Sequence, residues 1–305
     1  MKNQATTLVL GGNGQLGQEL IRALMPLGRL VAATRTSHLV NGQDCEIVDL
    51  GRIKTVEALL DRVRPDLVVN AAAYTAVDRA EVEVEEAWLA NASAPGVIAR
   101  WCAAAGVPLV HYSTDYVFDG KGERPYREDD ATGPLSVYGA SKLAGEEAIR
   151  AAGGRHLIFR TAWVYASHSA NFLRTMLRVG AERDVLRVVA DQVGTPTPAA
   201  LIADVTAQAL KHPGQFSGTW HLTSRGETSW HGFAEAIFSE AVAAGKLVRS
   251  PLVEAITTAE YPTPARRPAY SHLDVTKLES DFGIVLPSWE DGLRRVLSEW
   301  VTDPI

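Results

Sequence analysis

The run Gly11-Gly12-Asn13-Gly14-Gln15-Leu16-Gly17 lies directly between a short apolar stretch, Thr7–Leu10, and the start of an amphipathic helical pattern, Gln15–Met25. No other feature constrains the fold as tightly. Glycine takes positive φ and lets backbone approach an anion, while the free amides and dipole of a helix N-terminus favour negative charge. A strand, a glycine turn and a helix in this order open a βαβ unit built to hold a pyrophosphate. Gly11, Asn13, Gly14, Gln15 and Leu16 are therefore expected at a dinucleotide. The spacing fits both Gly12-x-Gly14-x-x-Gly17 and Gly11-x-x-Gly14-x-x-Gly17, so it leaves the subclass of site open.

The first half of the chain repeats this alternation. Candidate strands are Thr7–Leu10, Leu30–Thr34, Cys45–Val48, Leu67–Asn70, Leu109–Tyr112 and His156–Phe159, separated by helical patterns at Gln15–Met25, Ile53–Val63, Val84–Ala105 and Val137–Ala152. Such alternation predicts an α/β fold with a doubly wound, Rossmann-like parallel sheet, whose ligands bind at the carboxyl ends of the strands. Beyond Ala166 the rhythm breaks. Helical segments at Asn171–Val179, Pro198–Lys211 and Trp230–Ala244 mix with Pro- and Gly-rich connections, which reads as a smaller C-terminal substrate lobe. The expected division is residues 1–165 and 166–305, with Asp184–Val189 and Thr219–Leu222 as strands able to return to the first sheet.

Composition narrows the function. Thirty basic against thirty-six acidic residues give a net charge of −6, unsuited to a surface that follows a nucleic-acid backbone. No apolar run approaches the roughly 18 residues of a membrane span. Met1–Thr7 has one lysine and none of the apolar core of a secretory signal, and the two cysteines, Cys45 and Cys102, sit in apolar patterns. A reducing, cytoplasmic setting is expected. His221 and His231 lack neighbouring cysteines or paired acids, so no metal site is expected. The acidic run Glu81, Glu83, Glu85, Glu86 reads as a solvated helix N-terminal region.

Chemistry is sought just after each strand. The second strand ends Ala33-Thr34-Arg35-Thr36 with no carboxylate for a ribose 2′-hydroxyl, and the Arg35 guanidinium suits a 2′-phosphate. NADPH is thus the expected coenzyme, with NADH second. Asp49 and Leu50 follow the third strand, where a carboxylate can meet the adenine amino group. Ala72, Ala73, Tyr74 and Thr75 follow the fourth, where small side chains let backbone pass close to ribose and nicotinamide. Tyr138 and Lys142 lie four apart at the start of a helix, on one face. An ammonium so close is expected to lower the phenol's ordinary pKa of about 10 and make it a usable proton donor or acceptor.

With Tyr112–Gly120 (YSTDYVFDG), Asn70–Ala80 (NAAAYTAVDRA), Val137–Glu146 (VYGASKLAGE), Phe159–Tyr165 (FRTAWVY) and Asp191–Thr197 (DQVGTPT), the chain resembles the extended short-chain dehydrogenase/reductase family along nearly its whole length. The closest likeness is to its branch acting on nucleotide-activated 4-keto-6-deoxyhexoses. The resemblance implies reduction of the C4 ketone of dTDP-4-dehydro-L-rhamnose to dTDP-L-rhamnose. It implies Tyr138 as general acid, Lys142 as its partner and a ligand of the nicotinamide ribose, and Thr114 as the hydroxyl polarising the carbonyl. Val77, Asp115 and Trp163 are implied at the sugar, and Arg267 and the Asn171 amide at the diphosphate. A homodimer is compatible with it. Two other readings stay open: a nucleotide-sugar epimerase or dehydratase that recycles its hydride, and a dinucleotide-binding regulatory subunit without turnover. Ala166, where glycine is frequent, and Val193, where a larger residue is common, depart from the pattern.

Overall fold

The computed structural model describes residues 4–212, 214 and 217–300, so Met1–Asn3 of the N-terminal stretch lie outside the described residues. The first half runs β1 (Thr6–Leu10), α1 (Gln15–Leu24), β2 (Arg29–Thr34), β3 (Glu46–Ile47), α2 (Ile53–Val63), β4 (Leu67–Asn70), α3 (Val77–Ala80), α4 (Val84–Trp88), α5 (Ala94–Ala105), β5 (Leu109–Thr114), α6 (Val137–Ala152) and β6 (His156–Thr161). The second runs β7 (Val164–Tyr165), α7 (Phe172–Glu182), β8 (Val185–Val189), β9 (Val193–Gly194), β10 (Thr197–Pro198), α8 (Ala199–Lys211), β11 (Gly218–His221), β12 (Thr228–Ser229), α9 (Trp230–Ala243), β13 (Leu252–Ile256), α10 (Thr276–Phe282) and α11 (Trp289–Glu299).

Seven strands form one parallel sheet in the order β11-β6-β5-β4-β1-β2-β3. The order reverses between β1 and β4, which opens a crevice at their carboxyl ends. Both faces are covered, so the alternate side chains of each strand enter different cores. On β1, Val9 packs with Leu20, Leu24, Ile202 and Val205 on one side; Leu8 and Leu10 pack with Val56, Leu59 and Ile98 on the other. A third core, with Tyr165, Leu173, Phe233, Phe238 and Leu293, lies in the C-terminal half.

Of the two late strands expected to return to the sheet, one does. Residues 218–221 pair with β6 as its outer neighbour, but β8 pairs instead with β13 in a separate two-stranded ribbon. The reason lies in its alternation: Leu186 and Val188 are buried while Val185 and Arg187 are exposed. A strand with one polar face does not suit a sheet covered on both sides. The helix expected over Val84–Ala105 is also interrupted. Leu89–Ser93 form a π turn between α4 and α5. Pro95 has no N–H to give to the Asn91 carbonyl, which loosens the helical ladder at that turn.

Candidate active site

The coenzyme rim of the crevice is built from backbone. Gly11 has φ +85°, and its amide donates to the Ala33 carbonyl at 2.9 Å, tying the turn to β2. A Cβ at Gly17 would lie 2.0 Å from the Gly11 carbonyl oxygen, so α1 abuts the turn with no room for a side chain. The Gly14 N-cap has no side-chain hydrogen bond and the first turn of α1 has no acid, which leaves its amides open to an anion. This cradle fits a dinucleotide pyrophosphate. Asn13 does not hang free beside it: its amide donates to the Thr36 hydroxyl (3.3 Å) and the His38 carbonyl (3.0 Å) and accepts from Val40 N–H (2.9 Å). Asn13 thereby shapes the loop that follows Arg35, which is exposed at the end of β2. Leu16 packs against the sheet, Leu50 is buried in the core, and Asp49 turns one carboxylate oxygen to Gly51 N–H at 3.0 Å. Ala72, Ala73, Tyr74 and Thr75 follow β4 in a segment that is neither helix nor strand, with Val77 opening α3 beyond them.

The reacting end is built from buried side chains. Thr114 closes β5, and its hydroxyl donates to Asp115 Oδ1 at 2.9 Å. Asp115 is buried, its Oδ2 has no hydrogen-bond partner among the described residues, and burial pushes its carboxyl up to about 6 against the pull of the Ser271 and Thr114 hydroxyls. Tyr138 stands in the first turn of α6, where the Ser136 hydroxyl caps the helix by accepting Gly139 N–H at 3.2 Å. Its ring meets that of Tyr116 edge-on at 5.8 Å.

The expected effect of Lys142 on this phenol requires correction. Burial pushes the Tyr138 phenol up to about 12; Asp115 adds to the rise and the Thr114 hydroxyl opposes it. Lys142 is turned elsewhere. It is buried, its ammonium donates to the Tyr112 carbonyl at 2.6 Å, and it stands 3.4 Å from His111 Nε2. Desolvation pushes it down to about 8, with Glu146 working the other way. Helical spacing puts two Cβ atoms together; the rotamers decide whether their distal groups meet.

Trp163 lies between β6 and β7. It has φ +46°, a conformation costing an ordinary side chain about 1–3 kcal/mol, and its indole stacks on Trp230 with centroids 3.6 Å apart. A Cβ at Gly194 would fall 2.6 Å from that indole, so the β9 glycine is what lets the ring lie there. Two substrate residues are engaged otherwise than expected. The Asn171 side chain caps α7 by accepting Arg174 N–H, and its amide donates to Gln15 Oε1 (2.9 Å) and to the Ala166 carbonyl (2.8 Å), so it joins the lobe to α1 instead of offering a free amide. Arg267 is paired with Asp78 through both terminal nitrogens, at 3.2 and 2.9 Å, and so carries a carboxylate partner.

Several supporting residues escape a reading of the sequence. Asn91, fully buried in the π turn, accepts Tyr74 N–H at 2.8 Å and donates to the Tyr74 carbonyl at 3.0 Å and the Ser141 hydroxyl at 3.1 Å; Ser141 in turn donates to the Tyr138 carbonyl. The acidic run is not simply solvated. Glu81 accepts Val137 N–H at the head of α6 (2.8 Å), and Glu83 takes the Tyr74 hydroxyl and Arg79, while Glu85 and Glu86 are exposed. Behind Lys142, Glu146 is fully buried and paired with Arg160 at 2.9 and 2.8 Å. A proline four residues after an asparagine inside a helical pattern, and a histidine inside an apolar strand, are the signals that point to Asn91 and His111. Of the residues set aside, His221 gives Nδ1 to the Asp274 carbonyl (3.2 Å), His231 gives Nε2 to the Val253 carbonyl (3.0 Å), and burial pushes the Cys102 thiol up to about 12.

Comparison with known proteins places this geometry. Residues 5–302 match the family model described as the RmlD substrate binding domain. The dTDP-4-dehydrorhamnose reductase of Salmonella typhimurium is 45% identical over 298 residues, 97% of this chain and 98% of that one. Its counterpart in Burkholderia thailandensis is 48% identical over 291 residues, 92% of this chain and 94% of that one. The crystal structure of dTDP-4-dehydrorhamnose reductase from Bacillus anthracis in complex with NADP superposes with a TM-score of 0.87 at 34% identity, covering 97% of this chain and 99% of that chain. A Thermus thermophilus UDP-glucose 4-epimerase complex with NAD, at 20% identity and a TM-score of 0.76, shares the fold. The chain belongs to the RmlD family of the extended short-chain dehydrogenase/reductases.

Proposed function

We propose that this chain reduces the C4 ketone of dTDP-4-dehydro-L-rhamnose to dTDP-L-rhamnose in the cytoplasm, with NADPH as coenzyme and NADH as the second choice. The observation that carries the reading is the grouping of Thr114, Asp115 and Tyr138 at the end of β5 and the start of α6, in a sheet whose first strand leads through a glycine turn to an α1 N-terminus without a side-chain cap. The α1 N-terminus with Gly11 and Gly14 would take the coenzyme pyrophosphate, Arg35 the 2′-phosphate, Asp49 the adenine, the Ala72–Thr75 backbone and Lys142 the nicotinamide ribose. When bound, NADPH supplies the hydride that adds to C4.

The remaining chemistry belongs to the chain. With its phenol raised to about 12, Tyr138 stays protonated through the neutral range, and an alkoxide at C4 is a far stronger base than a phenolate, so proton transfer runs downhill. The Thr114 hydroxyl polarises the same oxygen. The unpartnered Oδ2 of Asp115 is satisfied by a sugar hydroxyl, and the Trp163 indole gives the ring a flat apolar wall.

The test is a turnover assay with purified protein, the keto-sugar and either coenzyme. Stoichiometric oxidation of NADPH with formation of the 6-deoxyhexose supports the reading. A tightly retained NAD with no net oxidation moves the chain to the epimerases, and coenzyme binding without turnover makes it a regulatory subunit.

A further inference from the structure

His111 is fully buried on β5 between Asn70 of β4 and Lys142 of α6. Asn70 Nδ2 lies 3.1 Å from its Nδ1, and Lys142 Nζ lies 3.4 Å from its Nε2. Burial and the Lys142 charge hold the imidazole well below its ordinary value, so it is neutral and carries a single N–H. The protons can then be counted. Asn70 Oδ1 accepts Ala72 N–H at 3.2 Å, which turns Nδ2 toward His111 as a donor. Nδ1 must accept, the imidazole proton sits on Nε2, and that N–H faces Nζ. An ammonium has no lone pair to receive it; a neutral amine has one. Turning the Asn70 amide over only moves the conflict. Nε2 could then accept from the ammonium, but Nδ2 would oppose Ala72 N–H. In either arrangement the network holds one donor too many while Lys142 is charged, and the surplus disappears when Lys142 loses a proton.

We propose that Asn70 and His111 are positioning residues that set the protonation of Lys142, biasing it toward the neutral amine. The titratable groups that act on Nζ are His111 from β5 and Glu146 one turn along α6; Tyr138, one turn back on the helix, answers to Thr114 and Asp115 instead. Glu146 favours the ammonium, but Arg160 of β6 and Arg150 hold its charge. Asn70 and His111 supply the opposing bias through hydrogen-bond parity, which no surface lysine experiences. The inference rests on the reading that Lys142 holds the nicotinamide ribose, and it gives that contact a pH dependence near neutrality.

The test reads the lysine itself, in the whole protein with no substrate present, by NMR of ¹³C-labelled lysine with Lys142→Met identifying the signal. In the wild type the Lys142 resonance should titrate near pH 8, below the ordinary lysine value. His111→Gln offers Nζ an amide oxygen, and Asn70→Asp accepts both Ala72 N–H and a His111 Nδ1 proton. Each variant should raise the titration by about one pH unit, a tenfold change in proton affinity. Asn70→Asp keeps the side-chain shape and decides the matter should His111→Gln fail to fold. Unchanged Lys142 titration in a folded variant overturns the proposal. If the resonance shifts while the pH profile of kcat stays in place, the tuning stands and the catalytic place of Lys142 falls.

Discussion

The two rims of one crevice are made of different material. On the β1–β2 side the groups facing a ligand are backbone amides, set by glycines and by a helix that starts without a cap. On the β5–α6 side they are side chains, nearly all buried, with Asp115 and Tyr138 raised and Lys142 lowered from their ordinary values. A backbone rim has fixed charge and holds a polyanion at any pH near neutrality. A side-chain rim in a dry setting can store and move protons. The function proposed above allots binding and chemistry to different atoms, and substitutions on the two rims should then fail in different ways.

The largest effect is expected from Tyr138→Phe. It should lower kcat by about 10²–10⁴ while NADPH affinity, measured by fluorescence titration, stays close to wild type. Near-normal turnover would move the proton donor elsewhere and blur the contrast between the rims. Gly17→Ala should behave in the opposite sense. A Cβ 2.0 Å from the Gly11 carbonyl forces helix and turn apart, so stability should fall by about 1–3 kcal/mol in chemical denaturation and NADPH affinity by about tenfold or more. If coenzyme affinity survives, the backbone cradle is not where the pyrophosphate sits. Arg35→Ala should do least, reducing the preference for NADPH over NADH by about tenfold with little change in kcat on saturating NADH. Unchanged discrimination would remove Arg35 from the site.

The backbone rim is also the one the sequence displays. A glycine turn between a strand and a helix is a local device, legible over a dozen residues, and Tyr138 with Lys142 is legible for the same reason. What the spacing does not reveal is where Nζ points, because the Tyr112 carbonyl and His111 that attract it lie some thirty residues earlier in the chain. Asn91 is hidden likewise: its role exists only once the π turn meets Tyr74 and Ser141 across the crevice. The buried Glu146–Arg160 pair joins a helix to the next strand, and nothing in either segment alone announces it. Removing one member of such a pair typically costs about 3–5 kcal/mol, so these silent residues carry much of the site's rigidity. The partner of β8 is hidden for a related reason, since alternation identifies a strand without naming what it pairs with.

The edge strand β11 has a consequence for how the protein is made. During synthesis β6 is complete at Thr161, but the segment that covers its open side begins only at Gly218. At 5–20 residues per second a ribosome needs several seconds to supply it. Through that interval an unpaired row of amides and carbonyls on an apolar strand is available to any other nascent chain. Slowed translation between these two points should therefore lower the yield of active enzyme more than an equal pause placed after residue 221.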